Sequence, residues 1–213
     1  MNEPSCAGRL EVGLAADGRL RWAAVDLTAV VEDARRRLDL APVPAMAFGR
    51  CAAAATMLLR LAEKTPRRLE IDVRGDGPVG RVLVEARSDG GIRGLVGDVH
   101  ATGSAGADDY RVGPAVGKGL LRVRRVEEGG GAYESQVELV TGEIGTDVAH
   151  YLEQSEQRQS AVLVGVLARP SGIASAGGLI LEALPGASER LLGEVEQRLG
   201  GLESISRLLG RVG

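Results

Sequence analysis

Between Ala45 and Leu61 the sequence reads AMAFGRCAAAATMLLRL, and a helix built from it has almost no polar face. Pro44 suits its first turn, and the run continues to about Lys64. A helix that is apolar nearly all round has to be covered on more than one side, so the rest of the chain must supply layers that enclose it. Those layers are short of large rings: aromatics are 2% of the 213 residues. The core must therefore be built from Leu, Val, Ile and Ala. The 31 glycines imply many tight turns. A chain of this length makes one large domain or two small ones and buries roughly 70% of the surface its unfolded form exposes.

The remaining pattern is mostly of period two. Arg9 to Leu14 and Arg19 to Val25 read as strands joined at Asp17-Gly18, a two-residue hairpin signal. Asp26 or Thr28 can cap a helix through Asp39, with Val30, Val31, Ala34 and Leu38 on one face. Arg67 to Arg74, Arg81 to Arg87 and Ile92 to Val96 form a three-stranded meander. Val99 to Gly113 is a surface loop. Lys118 to Val126 and Ala132 to Val140 are a further hairpin, and Gly145 or Thr146 opens a helix ending near Gln157. Gln159 to Ala168 and Ala174 to Leu184 read as strands. Ser188 caps a last helical region, which Gly200-Gly201 interrupts before a short amphipathic helix. With most strands linked by hairpins, the fold class is α+β: largely antiparallel sheets built from hairpins and meanders, packed with a buried apolar helix.

Little of this carries chemistry. Gly75-Asp-Gly77-Pro-Val-Gly80 spells a dinucleotide fingerprint after a strand, but Pro78 and an alternating strand follow where a helix would have to begin. It is a turn. Gly103-Ser104-Ala105-Gly106 is not a nucleophile elbow. His100 and His150 are isolated, and Cys6 and Cys51 cannot make a disulfide framework or a four-ligand zinc site. Cys51 reads as a small core residue and Cys6 as a free thiol. Nothing demands an enzyme. Net charge is −3, and the local clusters Arg35-Arg36-Arg37 and Arg122/Arg124/Arg125 read as solvated faces without aromatic neighbours, so no nucleic-acid partner is expected. The longest uncharged stretch, Pro170 to Leu181, is too short to span a bilayer, and the first twenty residues lack a secretory pattern. The expectation is a cytoplasmic protein with no membrane partner.

Several ordered stretches carry a resemblance. They are Gly75-Asp-Gly-Pro-Val79 with Val82-Leu-Val-Glu85 and Asp89-Gly-Gly-Ile-Arg-Gly94, then Gly117-Lys-Gly119-Leu and Tyr133-Glu-Ser-Gln-Val-Glu-Leu139. Tyr151-Leu-Glu-Gln-Ser-Glu-Gln157 and Ala176-Gly-Gly-Leu-Ile-Leu181 with Leu184-Pro185 complete the set. Together they resemble the redox-regulated heat-shock chaperone of thirty-three kilodaltons, the heat-shock protein 33 family, over nearly the whole chain. The resemblance implies a core-domain-like fold and an ATP-independent holdase that binds unfolding or aggregation-prone client proteins as a homodimer. In that family a metastable helical linker and a zinc domain follow the core. Four cysteines hold the zinc, as C-x-C and C-x-x-C, and oxidation releases it and exposes client-binding surface. Neither motif occurs here.

The resulting expectations are a core domain over 1–187, a helical segment at 188–213 that begins the linker, no zinc domain, and no cofactor or metal. The function expected is a holdase lacking the redox switch. The alternative is a dimerisation or regulatory module of the same fold that has lost client binding, motivated by depleted aromatics such as Leu152 at a family aromatic position. A small-molecule enzyme with 99–113 as a lid ranks last. Client-binding candidates are Leu202, Ile205, Leu208 and Leu209, apolar along the last helix. Gln154-Ser155-Glu156-Gln157 reads as a helix end satisfied by polar side chains, a structural signature near the dimer interface.

Overall fold

The computed structural model describes residues 7–62, 64, 66–103, 111–201, 205, 207 and 208. The elements in order are β1 (Arg9–Ala15), β2 (Leu20–Asp26), α1 (Thr28–Arg37), α2 (Pro42–Leu61), β3 (Arg68–Gly75), β4 (Arg81–Arg87) and β5 (Ile92–Val96). Then follow α3 (Gly113–Val116), β6 (Gly119–Val126), β7 (Ala132–Glu138), α4 (Gly145–Glu156), β8 (Ser160–Arg169), β9 (Gly172–Ala183) and α5 (Glu189–Gly200). The strands make two wholly antiparallel sheets. Sheet A runs β1-β2-β9-β8 and sheet B runs β5-β4-β3-β6-β7.

The apolar helix is where the sequence requires it to be. α2 packs against strands of both sheets, and 16 of its 20 residues are buried. By length and composition α2 resembles a membrane span, but 83% of its apolar window is buried inside the fold. Its alanines let the backbones approach closely. A Cβ on Gly49 would lie 2.7 Å from Val166 Cγ2 and 2.9 Å from Val31 Cγ1, and one on Gly178 of β9 would lie 2.9 Å from Met57 Cε. These glycines set the spacing between helix and sheet A. The one buried charge on α2, Arg50, is answered by the Glu143 carboxylate, which also accepts from the backbone N–H groups of Val112 and Gly113 at 3.2 and 3.0 Å.

Four local expectations need correction. The first hairpin is not a two-residue turn: Ala15 pairs with Leu20, leaving a four-residue loop in which Ala16, Asp17 and Gly18 all have positive φ. α2 starts at Pro42 and stops at Leu61, because Ala62 is extended. The loop from Val99 to Gly113 ends in a helical turn, α3; its residues 104–110 lie outside the described residues. The second arginine cluster is not a solvated face, since Arg125 is 16% exposed and bonded to Glu156.

The glycine fingerprint is a turn, as its context requires, and α3 explains its glycines. Gly77 N donates to Val116 O and Val79 N to Ala115 O, while Asp76 Oδ1 accepts from Lys118 N at 2.7 Å. A Cβ on Gly75 would sit 1.8 Å from Val116 O. Gly75 and Gly77 are needed for backbone to meet backbone, leaving no room for a pyrophosphate, and Gly80 turns the chain at φ 70°.

Candidate functional site

The two sheets present very different outer faces. On sheet B the side chains opposite α2 form a lattice of ions. Asp72, 2% exposed on the central strand β3, accepts from Arg81 on β4 (2.8 and 3.1 Å), Arg122 on β6 (2.6 Å) and Arg74 (3.0 Å). Burial alone would raise its pKa, but the three guanidiniums together hold it below the ordinary carboxylate range. Glu85 on β4 binds Arg68 and Arg93, and Glu134 on β7 lies beside Arg122 and Arg124. The register puts these residues in adjacent rows, so the lattice follows from alternation along each strand.

A second polar cluster lies where the sheets meet, and it uses the Gln154–Gln157 string. Glu156 accepts from Arg125 of β6 at 2.6 Å and from the Tyr151 hydroxyl at 2.7 Å. Ser155 bonds Ser135 of β7 at 2.8 Å, and Gln157 closes α4 in the left-handed region at φ 54°. Arg158 then reaches Glu182 of β9, 1% exposed, which also accepts from Arg21 Nε of β2 at 2.7 Å. Burial first, and then the bond to Glu156, pushes the Tyr151 phenol well above its usual range, so it stays a donor. The string ties the end of α4 to sheet B, and Arg158 next to it reaches sheet A.

The start of α4 is fixed in the same way. Asp147, fully buried, accepts from the N–H groups of Val140, Thr141 and Ile144 at 2.8–2.9 Å. That anchors the helix beside the edge of β8, where a Cβ on Gly145 would lie 3.3 Å from Val162 O.

Sheet A turns an apolar surface outward. Register places Trp22, Leu181 and Ala161 in one row, and Ala24, Leu179 and Leu163 in the next. All six are half-buried. At one end of this face a cavity of about 480 Å³ opens between the sheet (Leu20, Leu181, Ala183), α4 (Ala149, His150) and α5 (Leu192, Val195). Ser188 Oγ caps α5 by accepting from Leu191 N at 3.2 Å, and the apolar residues Leu191, Leu192 and Val195 behind it are only half-buried. So α5 lies over part of the face without sealing it. Half-exposed leucines beside a tryptophan on a sheet can hold another apolar chain, and they supply no group for a chemical step.

Of the four residues proposed from sequence, Ile205 and Leu208 are helical and half-buried, beyond the end of α5. Leu202 and Leu209 lie outside the described residues. The larger apolar area, Trp22, Leu163, Leu179 and Leu181, was not singled out from sequence. The signal was present in the alternation of β8 and β9, but both faces of those strands are apolar, so alternation could not say which one faces water. His100 lies 3.5 Å from Asp39 in an exposed pair, and His150 lines the cavity. Cys51 is fully buried, and burial pushes its thiol far up, away from a reactive thiolate. Cys6 lies outside the described residues, and among those described no group of three or more His, Cys, Asp or Glu could hold a metal.

Comparison with known proteins places this geometry. The family model described as Hsp33 protein matches residues 9–211. A protein named 33 kDa chaperonin from a strain of Thermus thermophilus is 44% identical over 205 residues, covering 95% of this chain and 60% of that protein. One of the same name from a Nostoc species is 42% identical over 206 residues, covering 95% and 68%. This chain thus spans about three fifths to two thirds of the length of these relatives. The crystal structure of the 33 kDa chaperonin (heat shock protein 33 homolog) of Thermotoga maritima superposes with a TM-score of 0.87 at 31% identity, covering 93% of this chain and 69% of that one.

Proposed function

This chain belongs to the Hsp33 family, and from that premise we propose that it is an ATP-independent holdase whose client surface is the outer face of sheet A. The observation that carries the reading is the row of half-buried Trp22, Leu163, Leu179 and Leu181, overlain at one end by a loosely seated α5. An unfolding protein exposes apolar segments. Burying them against this face removes both surfaces from water and involves no covalent step. The clients are unfolding or aggregation-prone proteins, the compartment is the cytoplasm, and the working unit is a homodimer. Ile205 and Leu208 extend the apolar stripe of α5, so releasing this helical segment enlarges the client surface.

The cysteines of these 213 residues offer no redox switch of their own. Cys51 is shut in the core, and neither C-x-C nor C-x-x-C occurs in the 213 residues. Activity of this chain is therefore expected without oxidant and without bound metal. The test is light scattering of a chemically unfolded client, with the chain added under reducing and then oxidising conditions. Equal suppression in both supports the proposal. Suppression only after peroxide overturns the constitutive part. Suppression in neither, from a dimeric protein, supports the alternative of a dimerisation or regulatory module, which the scarcity of aromatics favours.

A further inference from the structure

The four sheet edges are not equally protected. β5 is five residues long with Arg93 tied to Glu85, and β7 carries Glu134 and Glu138. β8 has a bulge at Leu167/Ala168, and the start of α4 lies against its edge at Val162 O. Each is a recognised way of blunting an edge. Among the described residues β1 has neither a bulge nor a covering helix, and its two charges, Arg9 and Glu11, are taken up by each other. It is seven residues long (RLEVGLA), pairs with β2 without a bulge, contains no Pro or Lys, and has no strand on its other side among the described residues. Leu10, Val12 and Leu14 stand on the same side as Ala23 and Val25, yet only Leu10 reaches the core. Val12 is 47% and Leu14 66% exposed.

We propose that β1 accepts an extended apolar segment of the client as an added antiparallel or parallel strand, so that holding a client includes main-chain pairing at this edge. The proposal rests on the holdase reading and deepens it. The occupant follows from three observations. The open side of β1 offers a row of backbone N–H and C=O groups, which only an extended chain can satisfy together. Its two charges, Arg9 and Glu11, already pair with each other at 2.5 Å, so the strand demands no complementary charge from its occupant. And at Gly13, beyond the Arg9–Glu11 pair, the apolar outer face reaches this edge, because Gly13 has no side chain and the Trp22 indole lies where its Cβ would be, within 2.8 Å. A segment on β1 would place alternate side chains beside Val12 and Leu14, and the intervening ones on the side of Gly13 and Trp22.

A fluorescent peptide of alternating valine and threonine is titrated against the chain and followed by anisotropy, with amide hydrogen exchange read over residues 9–15. The same peptide N-methylated at all its central residues keeps the side chains but cannot donate from the backbone. The expected result is binding, slowed exchange in 9–15, and affinity weaker by about tenfold or more for the N-methylated peptide. The exposed pair Val12→Lys with Leu14→Lys should weaken binding similarly. Equal binding of both peptides, binding without protection of 9–15, or no binding overturns the proposal. Protection of 9–15 that rises with protein concentration and needs no peptide also overturns it, in favour of a second copy on the edge. Light scattering on the same samples separates the two readings. Client suppression without edge protection sinks only the strand addition, and edge binding without suppression sinks only the holdase.

Discussion

The outer faces of the two sheets start from the same backbone and end as opposite surfaces. Each sheet is antiparallel, and each lays its inner side on α2. On sheet B the outward positions include Asp72, Glu85, Arg81, Arg122 and Glu134, and the carboxylates are bonded to neighbouring strands. On sheet A they are Trp22, Ala24, Leu163, Leu179 and Leu181, with α5 at one end. On the first face the charges already satisfy one another, with Leu95 and Leu120 exposed near its margins. The second keeps apolar surface that water solvates poorly. The difference lies in which residue type occupies every second position, and it divides the molecule into a stabilising face and a binding face.

The largest effect is expected from removing the centre of the lattice. Asp72→Ala leaves three guanidiniums facing one another and should lower unfolding free energy by about 2 kcal/mol in a denaturant titration. That is below the range for an enclosed pair, because those arginines are 33–55% exposed and can turn to water. Acid should probe the same groups. Arg35, opposed by burial and aided by Ile173 N–H, holds Glu32 down to about 2 from 4.5, and Asp72 is also held low. A depressed carboxylate stabilises the fold above its unfolded pKa, so stability should be full above about pH 4.5 and fall as pH drops toward 2. In Asp72→Ala that acid limb should be shallower.

Leu179→Glu with Leu181→Glu should do the reverse. Client suppression is expected to vanish, while unfolding free energy changes by about 1 kcal/mol, since both positions are only half-buried. Equal losses of stability and suppression would mean that this face is core rather than binding surface. Tyr151→Phe removes one donor to Glu156 at the end of α4 and should also cost about 1 kcal/mol, without loss of suppression. The smallest effect is expected at the lattice rim. Arg74→Ala removes one of three partners from Asp72, through a side chain 55% exposed, and should cost about 0.5 kcal/mol or less, with salt masking even that. A larger loss would show that the lattice acts as one unit.

Much of this was legible in the chain. The apolar run marked α2 as an enclosed helix, the turn residues placed most hairpins, and Pro78 with its following alternation excluded a nucleotide loop. The misses have physical causes. The Ala16–Arg19 loop puts Ala16 as well as Asp17 at positive φ, and alanine carries no turn signal. α3 is a single turn, too short to leave a period. The arginines at 122–125 looked like a solvated run because their acceptors, Asp72, Glu134 and Glu156, are 12–50 residues away.

What the sequence by itself determined is local: period, turn chemistry, caps such as Ser188, and the presence of an apolar helix that needs two covering layers. Those depend on neighbours within a few residues. Only the tertiary structure decided which face of β8 and β9 stays half-exposed, which edge is left open, and which carboxylate meets which arginine. Those depend on strand order and register, which bring together residues as distant as Arg21 and Glu182, and no short-range pattern encodes that pairing.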